Sequence, residues 1–256
     1  MMDSIQDQEN RDEGSIISVA EGLNLASGFF FIANALLTEV LKTKNDFPAL
    51  YDVIGAFHTR LLEMCDGQQQ DLCAKELSLE GYLDMLRKKS GAFFSLACYI
   101  GARMACGRPD WWKRFSDFGS HLGVVIQILD DLEDWYKLQE LQNNAQSVLP
   151  KMDWYKNLPA VYALEVLPSK ERRDFRRAID KVGKETSAVS DYIGWVNRSG
   201  AALFILALIG REVGYAKEAL SEEALVAQPK EDLIRILELL VGKLGACSND
   251  PTQRAQ

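Results

Sequence analysis

Histidine, proline and cysteine are all scarce in this chain. Its 256 residues include two histidines, seven prolines and five cysteines. His58 and His121 form neither an HExxH motif nor a Cys/His zinc site, which argues against zinc chemistry. The cysteines, at 65, 73, 98, 106 and 247, are odd in number and contain no CxxC pair. With no visible secretory signal, they read as reduced thiols of a cytoplasmic protein. Basic charge is in deficit: 29 Lys and Arg stand against 37 Asp and Glu, for a net charge of −8. An acidic surface repels a phosphodiester backbone, which argues against nucleic acid as the main partner. Long apolar runs are also lacking. A membrane-spanning helix needs about 20 predominantly apolar residues. The nearest candidate, residues 23–41, is interrupted by Asn24, Ser27, Asn34, Thr38 and Glu39. We therefore expect no transmembrane segment, and a helix buried in a bundle at that place.

What the chain does have is helical spacing. Hydrophobic residues make up 47% and charged residues 26%, ordinary values for a globular protein. Pro48, Pro150, Pro159 and Pro168 fall at breaks between stretches of helical period, and no run alternates as a strand does. The pattern predicts helices over 16–43, 47–66, 78–105, 109–141, 159–167, 169–197, 199–226 and 229–245. Residues 91–106 and 201–209 are apolar nearly all round, as expected for helices inside a bundle. The expected fold is all-α, a single-domain helical bundle over residues 1–245, with a flexible tail over 246–256. Residues 142–152 read as a loop, and the basic stretch 170–184 as a solvated helix face.

The most informative stretch is HLGVVIQILDDLEDW, residues 121–135. Leu122, Val125, Ile126, Leu129 and Leu132 form an apolar stripe. Gly123, Gln127, Asp130, Asp131 and Asp134 form its neighbour, because residues three and four apart share a helix face. Like charges at that spacing are mutually destabilising. A solvated acidic face is one reading. The other is a divalent cation, since Mg²⁺ takes one or two carboxylates together with substrate phosphates. The apolar stretch leading into the triad favours the second, because isolated buried charges are too costly to keep. Gln127 reads as either a ligand contact or a satisfied buried amide.

GVVIQILDDLED resembles the second aspartate-rich motif of the polyprenyl diphosphate synthase family, the class I isoprenoid synthases. Other segments agree in order: GQQQDL at 67–72, the helix from Tyr82 with Lys89-Ser90-Gly91 in place of Lys-Thr-Gly, KNLPAVYALE at 156–165, and the closing helices. The resemblance implies an isoprenoid-synthase bundle and a transferase of isoprenoid biosynthesis that ionises an allylic prenyl diphosphate with Mg²⁺. It implies catalytic roles for Asp130, Asp131 and Lys89, and substrate contacts from Lys89, Gln127 and Lys156. Metal would be held by Asp130, Asp131 and Asp134, together with Asp3 and Asp7. The latter two stand at i, i+4 in DSIQD, where the family has its first aspartate-rich motif.

The resemblance also has gaps. Ser4 stands where the first motif has a carboxylate. Asp12-Glu13-Gly14 stands where the family has Arg-Arg-Gly. The family's earlier helices, with their isopentenyl-diphosphate-binding Lys and Arg, have no counterpart. The expectation is an N-terminally shortened or degenerate member. Two alternatives follow: a terpene-cyclase-like enzyme using one prenyl diphosphate, or a non-catalytic partner subunit. A missing wall would bare apolar surface, so a homodimer or a heteromer with another synthase is expected. Phe29, Phe30, Phe31, Phe93 and Phe94 read chiefly as core, and otherwise as the lining of an apolar pocket.

Overall fold

Proline, serine, asparagine and glycine mark the helix ends in the computed structural model, which describes residues 18–43, 48–143, 153–182, 185–221 and 227–249. Every element among the described residues is helical, as the periodicity predicts. The chain falls into two units, residues 1–62 and 63–256.

In the first unit, α1 (Val19–Thr43) opens on a reciprocal cap. Ser18 Oγ accepts from the Glu21 N–H at 3.3 Å, and the Ser18 N–H donates to Glu21 Oε2 at 2.8 Å. Three of the polar residues that interrupt its apolar run bond a carbonyl one turn back. Ser27 Oγ donates to the Leu23 carbonyl, Asn34 Nδ2 to that of Phe30 and Thr38 Oγ1 to that of Asn34, each at 2.8 Å. Asn34 Oδ1 also accepts from His58 Nε2 at 2.9 Å, tying α1 to the start of α2 (Pro48–Cys73). His58 thus has the structural role expected of it.

The expected burial of α1 is overturned. Phe29, Phe30, Phe31, Ile32 and Leu36 are all exposed, Phe31 at 69%. By length and composition Val19–Val40, 22 residues of mean hydropathy 1.4, is sufficient to cross a bilayer. The interruptions did not mark a core helix: Ser27, Asn34 and Thr38 each bond a carbonyl of their own helix, and Glu39 pairs with Lys42 on that helix.

The second unit is organised around α5 (Pro109–Asn143). Ahead of it come α3 (Leu79–Leu86), a π-helical turn (Arg87–Gly91) and α4 (Ala92–Ala105). After it come α6 (Leu158–Val166), α7 (Ser169–Val182), a 3₁₀ turn (Thr186–Ala188), α8 (Val189–Ser199), α9 (Ala201–Ala219) and α10 (Ala227–Asn249). Ile128, Leu132 and Trp135 of α5 pack with Leu158 and Val161 of α6, Phe175 of α7, Tyr192 of α8 and Ile205 of α9. Nearer its start, Phe118, Leu122 and Val125 pack with Ala216, Leu220 and Leu237. A single long helix therefore backs both cores, and burial of each large apolar side chain contributes about 1.5–3 kcal/mol.

Glycines on α5 set how closely α4 approaches. A Cβ at Gly119 would lie 2.3 Å from the Phe94 carbonyl oxygen, and one at Gly123 would lie 2.4 Å from that of Ser90. Gly123, on the same stripe as the aspartates, is thus room for the backbone of Ser90.

Several boundaries differ from the pattern. The helix expected to stop at 66 continues to Cys73. The single helix expected over 169–197 is divided by the 3₁₀ turn, and the one expected over 199–226 ends at Ala219. Gly200, at φ 77, separates α8 from α9 in the left-handed region that favours glycine. The apolar helices α4 and α9 are not enclosed all round: Phe93, Met104, Leu203 and Leu206 are exposed. Phe94 alone among the five phenylalanines packs against a core. The solvated basic helix is as expected, with α7 burying only Phe175, Ala178, Ile179 and Val182. Helix α5 runs on to Asn143 and α10 to Asn249.

Candidate active site

Lys89 sits in the π turn, where one extra residue shifts the helical phase, a feature frequent at functional sites. The adjacent lysines diverge there. Lys88 pairs with Asp66 and Asp84, each at 2.8 Å, and those bonds raise its pKa. Lys89 turns to Asp71, with Nζ 3.1 Å from Oδ2. Gly67 makes this possible: a Cβ there would lie 2.7 Å from the Lys89 nitrogen, so only glycine lets α2 approach the turn. One turn further along α2 stands Asp71.

Asp71 also faces Lys156. The Lys156 ammonium lies 3.4 Å from Asp71 Oδ1 and donates to the Asp71 backbone carbonyl. It pairs with Asp153 at 3.1 Å as well. Both lysines are largely buried, with side-chain exposures of 17% for Lys89 and 9% for Lys156. Two cations thus converge on one carboxylate from segments far apart in sequence. The segment carrying Lys156 is held locally. Asp153 Oδ1 accepts the N–H groups of Tyr155 and Lys156, at 3.0 and 3.2 Å. Asn157 caps α6 by accepting from the Ala160 N–H at 3.1 Å.

The three aspartates of α5 differ. Asp131 is turned inward: its Oδ2 accepts the Tyr82 hydroxyl at 2.5 Å and the Leu158 N–H at 3.0 Å. Burial pushes its pKa up to about 7, against the pull of those two hydrogen bonds. The Tyr82 hydroxyl, buried beside that carboxylate, is raised well above its ordinary value. Asp130 is exposed; loss of part of its water and the nearby Glu133 and Asp134 raise its pKa, while Lys89 pulls it down. Asp134 is half-buried and accepts from Lys137 at 3.2 Å. Among the described residues, no three His, Cys, Asp or Glu side chains are grouped so as to hold a metal ion by themselves. Gln127 is a satisfied amide, accepting from Ser90 Oγ at 2.8 Å, beside Lys89.

The structure thus brings Lys89, Gln127, Asp130, Asp131 and Lys156 towards the middle of α5, with Asp134 one turn on. Asp3 and Asp7 lie outside the described residues. Sequence reasoning missed Asp71 and Tyr82 as site residues. The signal for Asp71 was its place one turn after Gly67; Tyr82 offered none beyond its position before the lysines. His121 is structural, as expected: Nδ1 lies 2.7 Å from the buried Glu212, which Arg211 also holds at 3.0 Å. Burial pushes the Glu212 carboxyl up, but these bonds outweigh it and keep it below the usual range.

A family model described as polyprenyl synthetase matches residues 11–196. The geranylgeranyl diphosphate synthase of Sulfolobus acidocaldarius is 32% identical over 138 residues, 51% of this chain and 42% of that protein. The heptaprenyl diphosphate synthase component 2 of Geobacillus stearothermophilus is 31% identical over 190 residues, 72% of this chain and 56% of that one. The chain therefore spans about half the length of the curated relatives it matches. In structure it is similar to a geranylgeranyl pyrophosphate synthase from Corynebacterium glutamicum complexed with calcium and isoprenyl diphosphate. That match has a TM-score of 0.69 and 19% identity, covering 94% of this chain and 76% of that one.

Proposed function

Because the chain belongs to the polyprenyl synthetase family, we propose that it is a Mg²⁺-dependent prenyltransferase acting on an allylic prenyl diphosphate, built as one synthase-type domain. The observation that carries this is the pair of largely buried lysines, Lys89 and Lys156, converging on Asp71 beside the aspartate-bearing stretch of α5. Lys156 pairs with Asp153 as well as with Asp71. A diphosphate, with more negative charge and more acceptor oxygens, competes for both ammonium groups.

The donor chemistry fits magnesium. Asp130 offers an exposed hard oxygen ligand, and Mg²⁺ uses one or two carboxylates with phosphate and water rather than a cage built wholly of protein. Asp130, Asp131 and Asp134 would hold it from α5, and Asp3 and Asp7 from the chain's start. Bound there, the cation neutralises charge on the leaving diphosphate as a Lewis acid. Lys89 and Lys156 orient the diphosphate as point charges, and Gln127 with Ser90 borders it. The calcium and isoprenyl diphosphate named for the Corynebacterium glutamicum structure support the same ligand classes here.

The name of the Geobacillus relative, a synthase component, supports a second reading: a partner subunit of a heteromer. The exposed apolar face of α1 suits a homodimer equally. Free thiols at Cys65, Cys73, Cys98 and Cys106 are consistent with a cytoplasmic setting. The test is incubation with Mg²⁺ and allylic diphosphates of several lengths, with and without isopentenyl diphosphate. Elongated diphosphates are expected, with Asp130→Ala reducing turnover by about 100-fold or more. Hydrocarbons or alcohols formed without co-substrate would establish cyclase chemistry instead. Inactivity alone, with activity on mixing with another synthase chain, would establish the subunit reading.

A further inference from the structure

Tyr82 is among the most deeply buried side chains of the molecule, at 1% exposure, yet it carries a hydroxyl whose proton needs an acceptor. That acceptor is Asp131 Oδ2, the same oxygen that receives the Leu158 N–H. Leu158, itself at 0% exposure, begins α6 two residues after Lys156. Three elements therefore meet at one carboxylate oxygen: α3 through Tyr82, α5 through Asp131 and the start of α6 through Leu158. A phenylalanine at 82 would fill the core as well, so packing alone does not account for the hydroxyl.

We infer that Tyr82 is a positioning residue: by fixing Asp131, its hydroxyl fixes the start of α6 and hence the place of Lys156 against Asp71 and Lys89. This inference rests on the proposed diphosphate reading for its consequence, but not for its geometry. Tyr82 and Leu158 are both buried, and a hydrogen bond to a carboxylate is among the stronger kinds. Without the hydroxyl, Asp131 keeps only the Leu158 N–H, and the cost of its burial is offset less. The carboxylate then turns towards water and α6 loses its tie to α5.

The test uses Tyr82→Phe in the full chain, with two measurements. Amide hydrogen exchange is expected to quicken about 10-fold or more for residues 153–160, while exchange in α9 stays close to the parent's. Calorimetric binding of inorganic pyrophosphate with Mg²⁺ is expected to weaken about 10-fold. Measured without Mg²⁺, so that the proposed part of Asp131 in holding the metal does not enter, the Tyr82→Phe/Lys156→Ala double variant should bind pyrophosphate no more weakly than Lys156→Ala, since both changes then act through one lysine. If Tyr82→Phe does not fold, Asp131→Ala removes the same bonds from the other end and is read by the same exchange. Unchanged exchange over 153–160, or additive losses in the double variant, would overturn the positioning role. Absent pyrophosphate binding by the parent protein would overturn the diphosphate reading alone, with the exchange measurement still deciding the role of Tyr82.

Discussion

Asp130 and Asp131 are neighbours in sequence with opposite surroundings, and their chemistry diverges accordingly. Asp130 stands exposed within the influence of Lys89, while Asp131 is held inward by Tyr82 and Leu158. Burial raises Asp131 from its ordinary 3.8 to about 7. Between those values the folded chain binds more protons than the unfolded one, so this group's contribution to stability falls as pH rises from about 4 to about 7. Melting temperatures measured from pH 4 to 8 should show Asp131→Asn gaining on the parent across that window, because the amide does not titrate. Equal slopes for the two proteins would refute the shift. Mg²⁺ should raise the parent's melting temperature more at pH 8 than at pH 5.5, since protons and cation compete for the same carboxylates.

Helix α5 joins both cores and carries the acidic stripe, and its contact with α4 depends on having no side chain at two positions. Gly123→Ala would force a Cβ within 2.4 Å of the Ser90 carbonyl oxygen, and backbone has no rotamer by which to yield. We expect a loss of about 1–3 kcal/mol, read as a lower urea midpoint with unchanged slope. Because Ser90 adjoins Lys89, the same variant should also weaken pyrophosphate binding. At Gly28, where a new Cβ meets nothing within 4 Å, alanine should cost no stability and offers the control. The sequence places Gly123 on the acidic stripe but does not show what lies against it, because spacing marks a face and not its neighbour.

At the scale of the whole molecule, the apolar side of α1 is the largest departure from expectation. Phe31 and Leu36, at 69% and 62% exposure, sit among other bare apolar side chains. Surfaces of that kind mark contacts with other molecules. Light scattering coupled to size exclusion should find the protein associated, and Phe31→Glu should shift it to a smaller species. A monomeric parent would remove the dimer reading. Carbonate-resistant recovery with a membrane fraction would instead assign α1 to the bilayer.

The fold class was legible in the sequence because helical period, proline breaks and the absence of strand alternation are local properties of a chain. The acidic stripe was legible too, since three- and four-residue spacing fixes which side chains share a helix face. Five motifs in order sufficed for the family. The sequence could not show that Asp71 joins Lys89 to Lys156, a meeting of segments 18 and 85 residues apart. Nor could it show that Asp131 faces inward while Asp130 faces out, or that α1 is bare. Those outcomes depend on which faces are covered, and covering is a property of packing between distant segments. Local spacing thus determined the helices and the stripe they carry; tertiary contact decided the partner, exposure and protonation of each group upon it.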